Sequence, residues 1–295
     1  TESDDNIHVD YTGTSPASRY GINVVLNYTK AYTCFGVKCV VAPDIPNNYG
    51  SLLPITFHAP EGCILNVQRP FAVAARHIIG HLLPDTVLGC LHQALPDRVP
   101  AEGASCMFDL PMRHAPEAAR EGGREFAIEP VHNGGTGARP HSDGLSATAY
   151  PSGVYGSQVE ITETAAPVIM WKRELRPDSG GAGKYRGGLG QRIEMTSSNG
   201  APFIVFLSVE RLKFPALGRL GGLPGAPGRI RIKKRAEDIP GKGELRVEAD
   251  DHLIFETPGG GGFGSPLERD REALALDLKR GLVTVEGAKV YGDCS

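Results

Sequence analysis

The stretch Thr257-Pro-Gly-Gly-Gly-Gly-Phe-Gly-Ser-Pro-Leu-Glu-Arg-Asp270 decides how the rest of this chain is read. Four consecutive glycines, Gly259 to Gly262, let the backbone take positive φ and approach a neighbour closely. Directly after them, Ser265 is placed as an N-cap, Pro266 as the first helical residue and Glu268 as the capping-box partner. Such a loop suits either an anion, met by several N–H groups and a helix start, or a closely packed backbone. No Gly-Lys-Ser/Thr follows the glycines, so it is not a P-loop.

Downstream, a helix is expected from Pro266 to Arg280, stopped by Gly281. A short one follows from Val285 to Val290, capped by Thr284 and ended at Gly292. Upstream, 38 glycines and 23 prolines in 295 residues cut the chain into short segments that favour strands and turns. Extended segments are expected at Ile7–Tyr11, Phe126–Val131, Val154–Thr164, Val168–Leu175, Ile193–Met195, Phe203–Val209 and Leu245–Glu256. Ile22 to Val41 reads as strand or helix, and the spacing of Ala31, Phe35 and Cys39 leans to helix. Val87, Leu88, Leu91 and Leu95 line one face of a helix between Asp85 and Leu95. The expected fold is therefore α+β: β-rich mixed sheets, a few helices, and short C-terminal helices after the glycine-rich loop. The Ala115–Gly123 stretch reads as a surface loop and as the candidate subdivision.

A 40% hydrophobic content supports a substantial core. The net charge of −3, from 31 basic and 34 acidic residues, argues against a general nucleic-acid surface. The most basic run, Arg229-Ile-Arg-Ile-Lys-Lys-Arg235, alternates like a strand with one solvated basic face. The six cysteines, Cys34, Cys39, Cys63, Cys90, Cys106 and Cys294, form no Cys-x-x-Cys pair. Most sit among apolar residues, as reduced packing thiols of a cytoplasmic protein would. No apolar run reaches membrane-spanning length, and Thr-Glu-Ser-Asp-Asp at the start is no signal peptide. The first residue is not methionine, so the chain is expected to be processed or excerpted.

Polar residues concentrate in His132-Asn-Gly-Gly-Thr-Gly-Ala-Arg-Pro-His-Ser-Asp-Gly144. Arg139 there can bind a carboxylate or phosphate bidentately, and His132 or His141 can titrate near neutral pH. The alternative is a structural turn in which Asn133 and Asp143 satisfy their own backbone. Glu160 and Glu163 would fall on opposite faces of a strand, which disfavours a paired acid and base. Arg173 to Gly190 again mixes charges with glycines and frames either a polar site or a salt-bridged loop. His77 and His81 have zinc-ligand spacing, but no Glu follows His77, no third ligand is evident and Pro84 limits the helix; no metal site is assigned. Gly-x-Ser-x-Gly and Ser-x-x-Lys motifs are missing from the sequence. Thr1 reads as part of a flexible tail more than as a nucleophile.

Together these segments resemble the hydantoinase B family, the subunit shared in variant form by ATP-dependent N-methylhydantoinases, 5-oxoprolinases and acetone/acetophenone carboxylases. The matching blocks are Val9-Asp-Tyr-Thr-Gly-Thr-Ser15, Asp44-Ile-Pro-Asn-Asn-Tyr-Gly50 and Pro54-Ile-Thr-Phe-His-Ala-Pro-Glu-Gly62. They continue with Gly134-Gly-Thr-Gly-Ala-Arg-Pro140, Asp143-Gly144, Glu174-Leu-Arg-Pro-Asp-Ser-Gly-Gly-Ala-Gly183 and Tyr185-Arg-Gly-Gly-Leu-Gly190, and end with Thr257–Asp270. The resemblance implies the C-terminal half of such a subunit, in an ATP-dependent cyclic-amide hydrolase or, alternatively, a ketone carboxylase or a non-catalytic scaffold piece. It implies that ATP sits on a hydantoinase A type partner. A divalent metal (Mg, Mn or Zn) would be held by a His-x-x-Asp element that this sequence lacks, in the missing N-terminal half. This chain alone would bind neither, and its own small-molecule partner would be a cyclic amide or ketone, with no nucleic acid and no membrane. Within that expectation Arg139 is the substrate or phosphate clamp, Asp143 orients it, and His132 is the proton-transfer candidate. Asn133, Gly135, Asp178, Arg186, Gly260 and Gly261 bind or support.

Overall fold

The computed structural model describes residues 2–3, 6–105, 107–117 and 125–292. The chain divides into two compact units, Thr1–Val99 and Pro100–Ser295. The division falls ahead of the Ala115–Gly123 stretch, most of which lies outside the described residues, as do Thr1, Cys106 and Cys294.

In the first unit β1 (Glu2–Ser3), β2 (Asn6–Asp10) and β3 (Ile55–His58) form a sheet in that order, with β2 and β3 parallel. Helices α1 (Leu26–Val41), α2 (Tyr49–Leu52), α3 (His77–Gly80) and α4 (Leu83–Leu91) complete it. The 22–41 ambiguity resolves as helix, but the Ala31, Phe35 and Cys39 stripe is its exposed face. Thr29, Thr33, Gly36, Val37 and Val40 are the buried one. At Gly36 the helix meets Pro84 of α4 so closely that a Cβ would stand 3.0 Å from the proline Cα. Lys38, buried, donates to the Ile45 carbonyl at 2.9 Å and to Ser51 Oγ at 3.0 Å. Asn48 and Ser51 cap α2 reciprocally, so the Asp44–Gly50 block is a capped turn tied to α1. Pro84 does end the His77/His81 helix, and it does so by opening α4.

The second unit is built on two antiparallel sheets. One has the order β12-β10-β5-β6, from β12 (Lys242–Val247), β10 (Phe203–Ser208), β5 (Met112–His114) and β6 (Ala127–Ile128). The other has the order β11-β13-β9-β8, from β11 (Arg229–Ile232), β13 (Leu253–Glu256), β9 (Gln191–Ser197) and β8 (Val168–Leu175). A two-strand ribbon joins β4 (Met107–Asp109) to β7 (Val131–Asn133). Period-two alternation sends Ile193, Met195, Leu253, Phe255, Ile230 and Ile232 from one sheet into a single core with Met112, Phe203, Val205, Leu207 and Val247 from the other. Among the described residues no helix is long and apolar enough to cross a membrane.

Three expected elements differ. Val154–Thr164 is not a strand: α5 (Val159–Ala165) is helical, with Thr162 and Thr164 hydroxyls bonded to the carbonyls four residues back. The β-branched content favours a strand, but the next residue to pair is Val168, in β8, and local side-chain bonding settles the rest. Glu160 and Glu163 therefore lie one turn apart on a helix, and Glu163 accepts from the Met170 N–H at 2.7 Å. Leu245–Glu256 is two strands in two different sheets, separated by a turn closed from Asp251 N–H to the Glu248 carbonyl. Pro266–Arg280 is broken: a 3-10 turn (Pro266–Glu268) is followed by extended Arg269, and Asp270 caps a new helix α6 (Arg271–Lys279). Ser265 does cap the 3-10 turn, through Leu267 N–H, whereas the Glu268 carboxylate lies 4.0 Å from Lys184. Helix α7 (Val285–Ala288), capped by Thr284, runs into a last 3-10 turn (Lys289–Tyr291).

Packed beside these sheets are the glycine-rich segments themselves. Gly259, Gly260 and Gly261 donate to the carbonyls of Ala226, Gly188 and Glu102, three different stretches of chain. Gly262 and Phe263 then return to Leu223 and Tyr185, three residues earlier in the first two of those stretches. A donor period of three is that of an extended three-residue turn, not of a β-strand with its two neighbours. At each step the approach is backbone on backbone: a Cβ on Gly260 would overlap the Thr136 carbonyl.

Candidate functional site

The ribbon of β4 and β7 sets His132 opposite Phe108, and both are buried in the second unit. Neither ring nitrogen of His132 has a hydrogen-bond partner among the described residues. Burial first, and the charge of Arg173 second, push its pKa down to about 3. The ring is therefore neutral near neutral pH, and it is buried where the structure places it. Across the ribbon, Asp109 shares a side-chain hydrogen bond with Glu129, and its pKa is pushed up to about 7, by burial and then by that neighbour. Sequence reasoning missed this carboxylate pair, because nothing local links residue 109 to 129. Only the pairing of Asp109 with Val131 brings them together.

The loop that follows closes a tight turn, with Arg139 and Ser142 exchanging backbone hydrogen bonds of 2.9 and 3.4 Å. Arg139 is exposed and donates to the main-chain carbonyl of Asp143 at 3.0 Å. The Asp143 carboxylate points elsewhere. It takes both terminal nitrogens of Arg269, at 2.9 and 2.8 Å, and the Arg186 N–H at 2.7 Å. Arg269 also reaches Asp277 at 2.5 Å, and Arg186 meets the same Asp277 at 3.1 and 3.3 Å. Asp143 and Arg186 are thus brought together, in a charge-balanced network of two arginines and two aspartates. Burial alone would raise the Asp143 carboxyl, but the hydrogen bonds and charge of Arg269, helped by Arg186, hold it below the usual carboxylate range. Arg269 stands inside the glycine-loop block quoted at the outset. Asp277 had a local signal too: it interrupts the apolar stripe of α6 between Leu274 and Leu278.

The remaining candidates fix backbone. Asn133 offers its carbonyl to Gln191 Nε2 at 2.8 Å and to Thr257 Oγ1 at 3.1 Å, and its Nδ2 donates to Val154 at 3.3 Å. Gly135 packs against the Gly188 carbonyl and Gly261 against that of Leu217. With every N–H from Gly259 to Gly264 bonded to a carbonyl, the glycine run serves backbone packing and has none left for an anion. Asp178 lies apart from the arginine network and anchors α7, accepting from Thr284 N–H at 2.8 Å and Oγ1 at 2.6 Å. In the first unit, the ring centroids of His77 and His81 are 5.8 Å apart. Burial, then His77, push the pKa of His81 down to about 4. A cavity of about 460 Å³ in that unit, lined by Val9, Tyr11, Val37, Val87, Cys90 and Leu91, contains none of the predicted site residues. Among the described residues no group of three His, Cys, Asp or Glu side chains could hold a metal.

The chain belongs to the hydantoinase B/oxoprolinase family, whose profile matches residues 1–266 and so spans both the polar loop and the glycine run. An uncharacterized protein of Methanocaldococcus jannaschii is 33% identical over 96% of this chain and 49% of its own length. Caprolactamase subunit beta of Pseudomonas jessenii is 29% identical, over 79% of this chain and 42% of its own. The crystal structure of ATP-dependent caprolactamase from Pseudomonas jessenii matches with a TM-score of 0.84 and 25% identity, covering 98% of this chain and 52% of that one. The chain therefore spans about half the length of these relatives.

Proposed function

We propose that this chain is part of a hydantoinase B type subunit of an ATP-dependent cyclic-amide hydrolase, active in a heteromeric complex. The supporting observation is its likeness, along 98% of its length, to an ATP-dependent caprolactamase. The ring opened would be a lactam of the hydantoin or 5-oxoproline kind. An amide resists water because resonance stabilises it, and phosphorylating its oxygen creates a leaving group and a charge that polar donors can stabilise.

A hydantoinase A type subunit would supply ATP, and the other half of the B subunit a divalent metal (Mg, Mn or Zn). In this reading the side chains of this chain act by binding and orienting. Arg139, exposed and aimed by its bond to the Asp143 carbonyl, clamps an anionic oxygen of the substrate. Asp143 and Arg186 fix the loop through Arg269 and Asp277, Asp178 fixes the C-terminal helices, and Asn133, Gly135, Gly260 and Gly261 form the rigid backing. His132 packs the floor of the ribbon. A second reading, a scaffold with no reacting group, is favoured by the charge network, in which two arginines and two aspartates pair with one another.

The test is ADP release by the purified complex with caprolactam, hydantoin and 5-oxoproline, and separately with acetone plus bicarbonate. Lactam-dependent release that falls in Arg139→Ala supports the hydrolase. Release only with acetone and bicarbonate would replace it with a ketone carboxylase, and undiminished turnover in Arg139→Ala would leave the scaffold.

A further inference from the structure

The basic run 229–235 gains a meaning from its neighbours on the sheet. Strand register lines up Glu174, Arg192, Glu256 and Arg229 as direct cross-strand partners, so their side chains share the face opposite the core. Arg231 is on the same face and reaches Glu256 at 3.3 Å, while Arg176 approaches the other oxygen of Glu256 at 4.0 Å. Arg229 is taken by Asp238, at 3.0 and 3.1 Å. Arg192 has no ion-pair partner among the described residues, although it is partly buried. The Nε atoms of Arg192 and Arg231 are both buried without a hydrogen-bond partner.

The charge count is local. Four guanidiniums, Arg176, Arg192, Arg229 and Arg231, face two carboxylates, Glu256 and Asp238, and two positive charges remain. The flanking cations are matched: Lys172 with Glu174 at 3.7 Å, Lys233 with Glu194 at 3.5 Å, and Lys234 with Asp250. The surplus is thus confined to one cluster on this face and does not run along the surface, which suits a compact dianion better than a polymer. Burial lowers the pKa of Arg176, Glu256 raises it, and the nearby guanidiniums of Arg229, Arg231 and Arg192 lower it further, so these cations sense one another. Guanidinium forks are matched to phosphate oxygens, and an orphaned buried donor costs free energy until it is met.

We propose that Arg192, Arg231 and Arg176 form a binding site for a phosphate dianion on the outer face of this sheet. Their guanidinium groups meet it, Arg192 first because no carboxylate already holds it, and its two charges balance the surplus on this face. The phosphate is either free or the terminal group of a nucleotide.

Titration calorimetry of the purified protein, with any polypeptides that accompany it, at constant ionic strength is the direct test, using sodium phosphate and ADP as probes. Saturable phosphate binding is expected, weakened about tenfold or more in Arg192→Gln, the loss of a charged hydrogen bond. It should be unchanged in Lys234→Gln, which removes an equal charge nearby. ADP binding more tightly than phosphate at the same site identifies the nucleotide source, and equal or weaker binding the free ion. Arg231→Gln repeats the reading should Arg192→Gln fail to fold. Absence of saturable binding by either probe, or equal weakening in Lys234→Gln, overturns the site.

Discussion

Arg186 and Asp277, 91 positions apart in the sequence, meet side-on: Nε and Nη2 of the arginine donate to the two carboxylate oxygens at 3.1 and 3.3 Å. Both are almost wholly buried, and Arg269 competes for the same carboxylate.

Asp277→Asn leaves two buried guanidiniums facing one half-exposed Asp143. The expected cost is about 3–5 kcal/mol, the usual penalty for an orphaned buried charge. The double change Arg186→Met/Asp277→Leu, which removes charge from both sides, should cost less. Chemical denaturation midpoints compare them, and a smaller loss in Asp277→Asn than in the double variant would contradict the network.

Gly260→Ala should abolish the folded second unit, since its Cβ would lie inside the contact with the Thr136 carbonyl and no flexible side chain is there to move. Gly200→Ala is the contrast. Its Cβ meets nothing, so only the positive φ of 72° opposes it, at about 1–2 kcal/mol. Soluble yield and circular dichroism distinguish the two.

The Asp109–Glu129 pair gives stability a pH dependence. The folded pKa of Asp109, about 7, stands above its unfolded value of 3.8, so between those values the folded state holds the extra proton. Its contribution is complete below 3.8 and is lost as pH rises through 7. Glu129→Gln removes the like charge and should flatten that slope. Denaturation at pH 5 and pH 8 checks this, and a wild-type protein that gains more stability at pH 8 than the variant does would refute it.

Arg139→Ala should lower lactam-dependent turnover of the complex by about a hundredfold, the scale of a lost positioning contact, and Arg139→Lys should recover little of it because a lysine cannot form the fork. The arginine is exposed, so thermal stability should stay the same in both variants. A parallel loss of stability would mean that it holds the fold instead.

What the sequence made legible was local. β8, β9, β10 and the capped α7 follow from alternation and from Thr284, and their residues need no distant partner to reveal the pattern. The glycine run was legible as a close approach, yet which chains approached was not, because its partners lie at residues 102, 185, 188, 223 and 226. Val159–Ala165 misread as strand because β-branched residues report a preference that its helical hydrogen bonds overrode. Asp143 was legible beside Arg139, which its main-chain carbonyl holds, but its carboxylate's partner was not, because Arg269 reaches it from 126 positions away.

The three-way hydrogen bonding of Gly259 to Gly262 also bears on synthesis. A ribosome delivers residues 102, 136, 188 and 226 long before the strand that joins them, so the earlier glycine-rich stretches emerge with backbone donors and acceptors that only the last one can satisfy. The second unit then closes when residues 257–264 arrive, in one late step of high contact order. A chain stopped short of Thr257 would therefore be no smaller version of this unit but an open one, with unpaired backbone that invites aggregation or a chaperone.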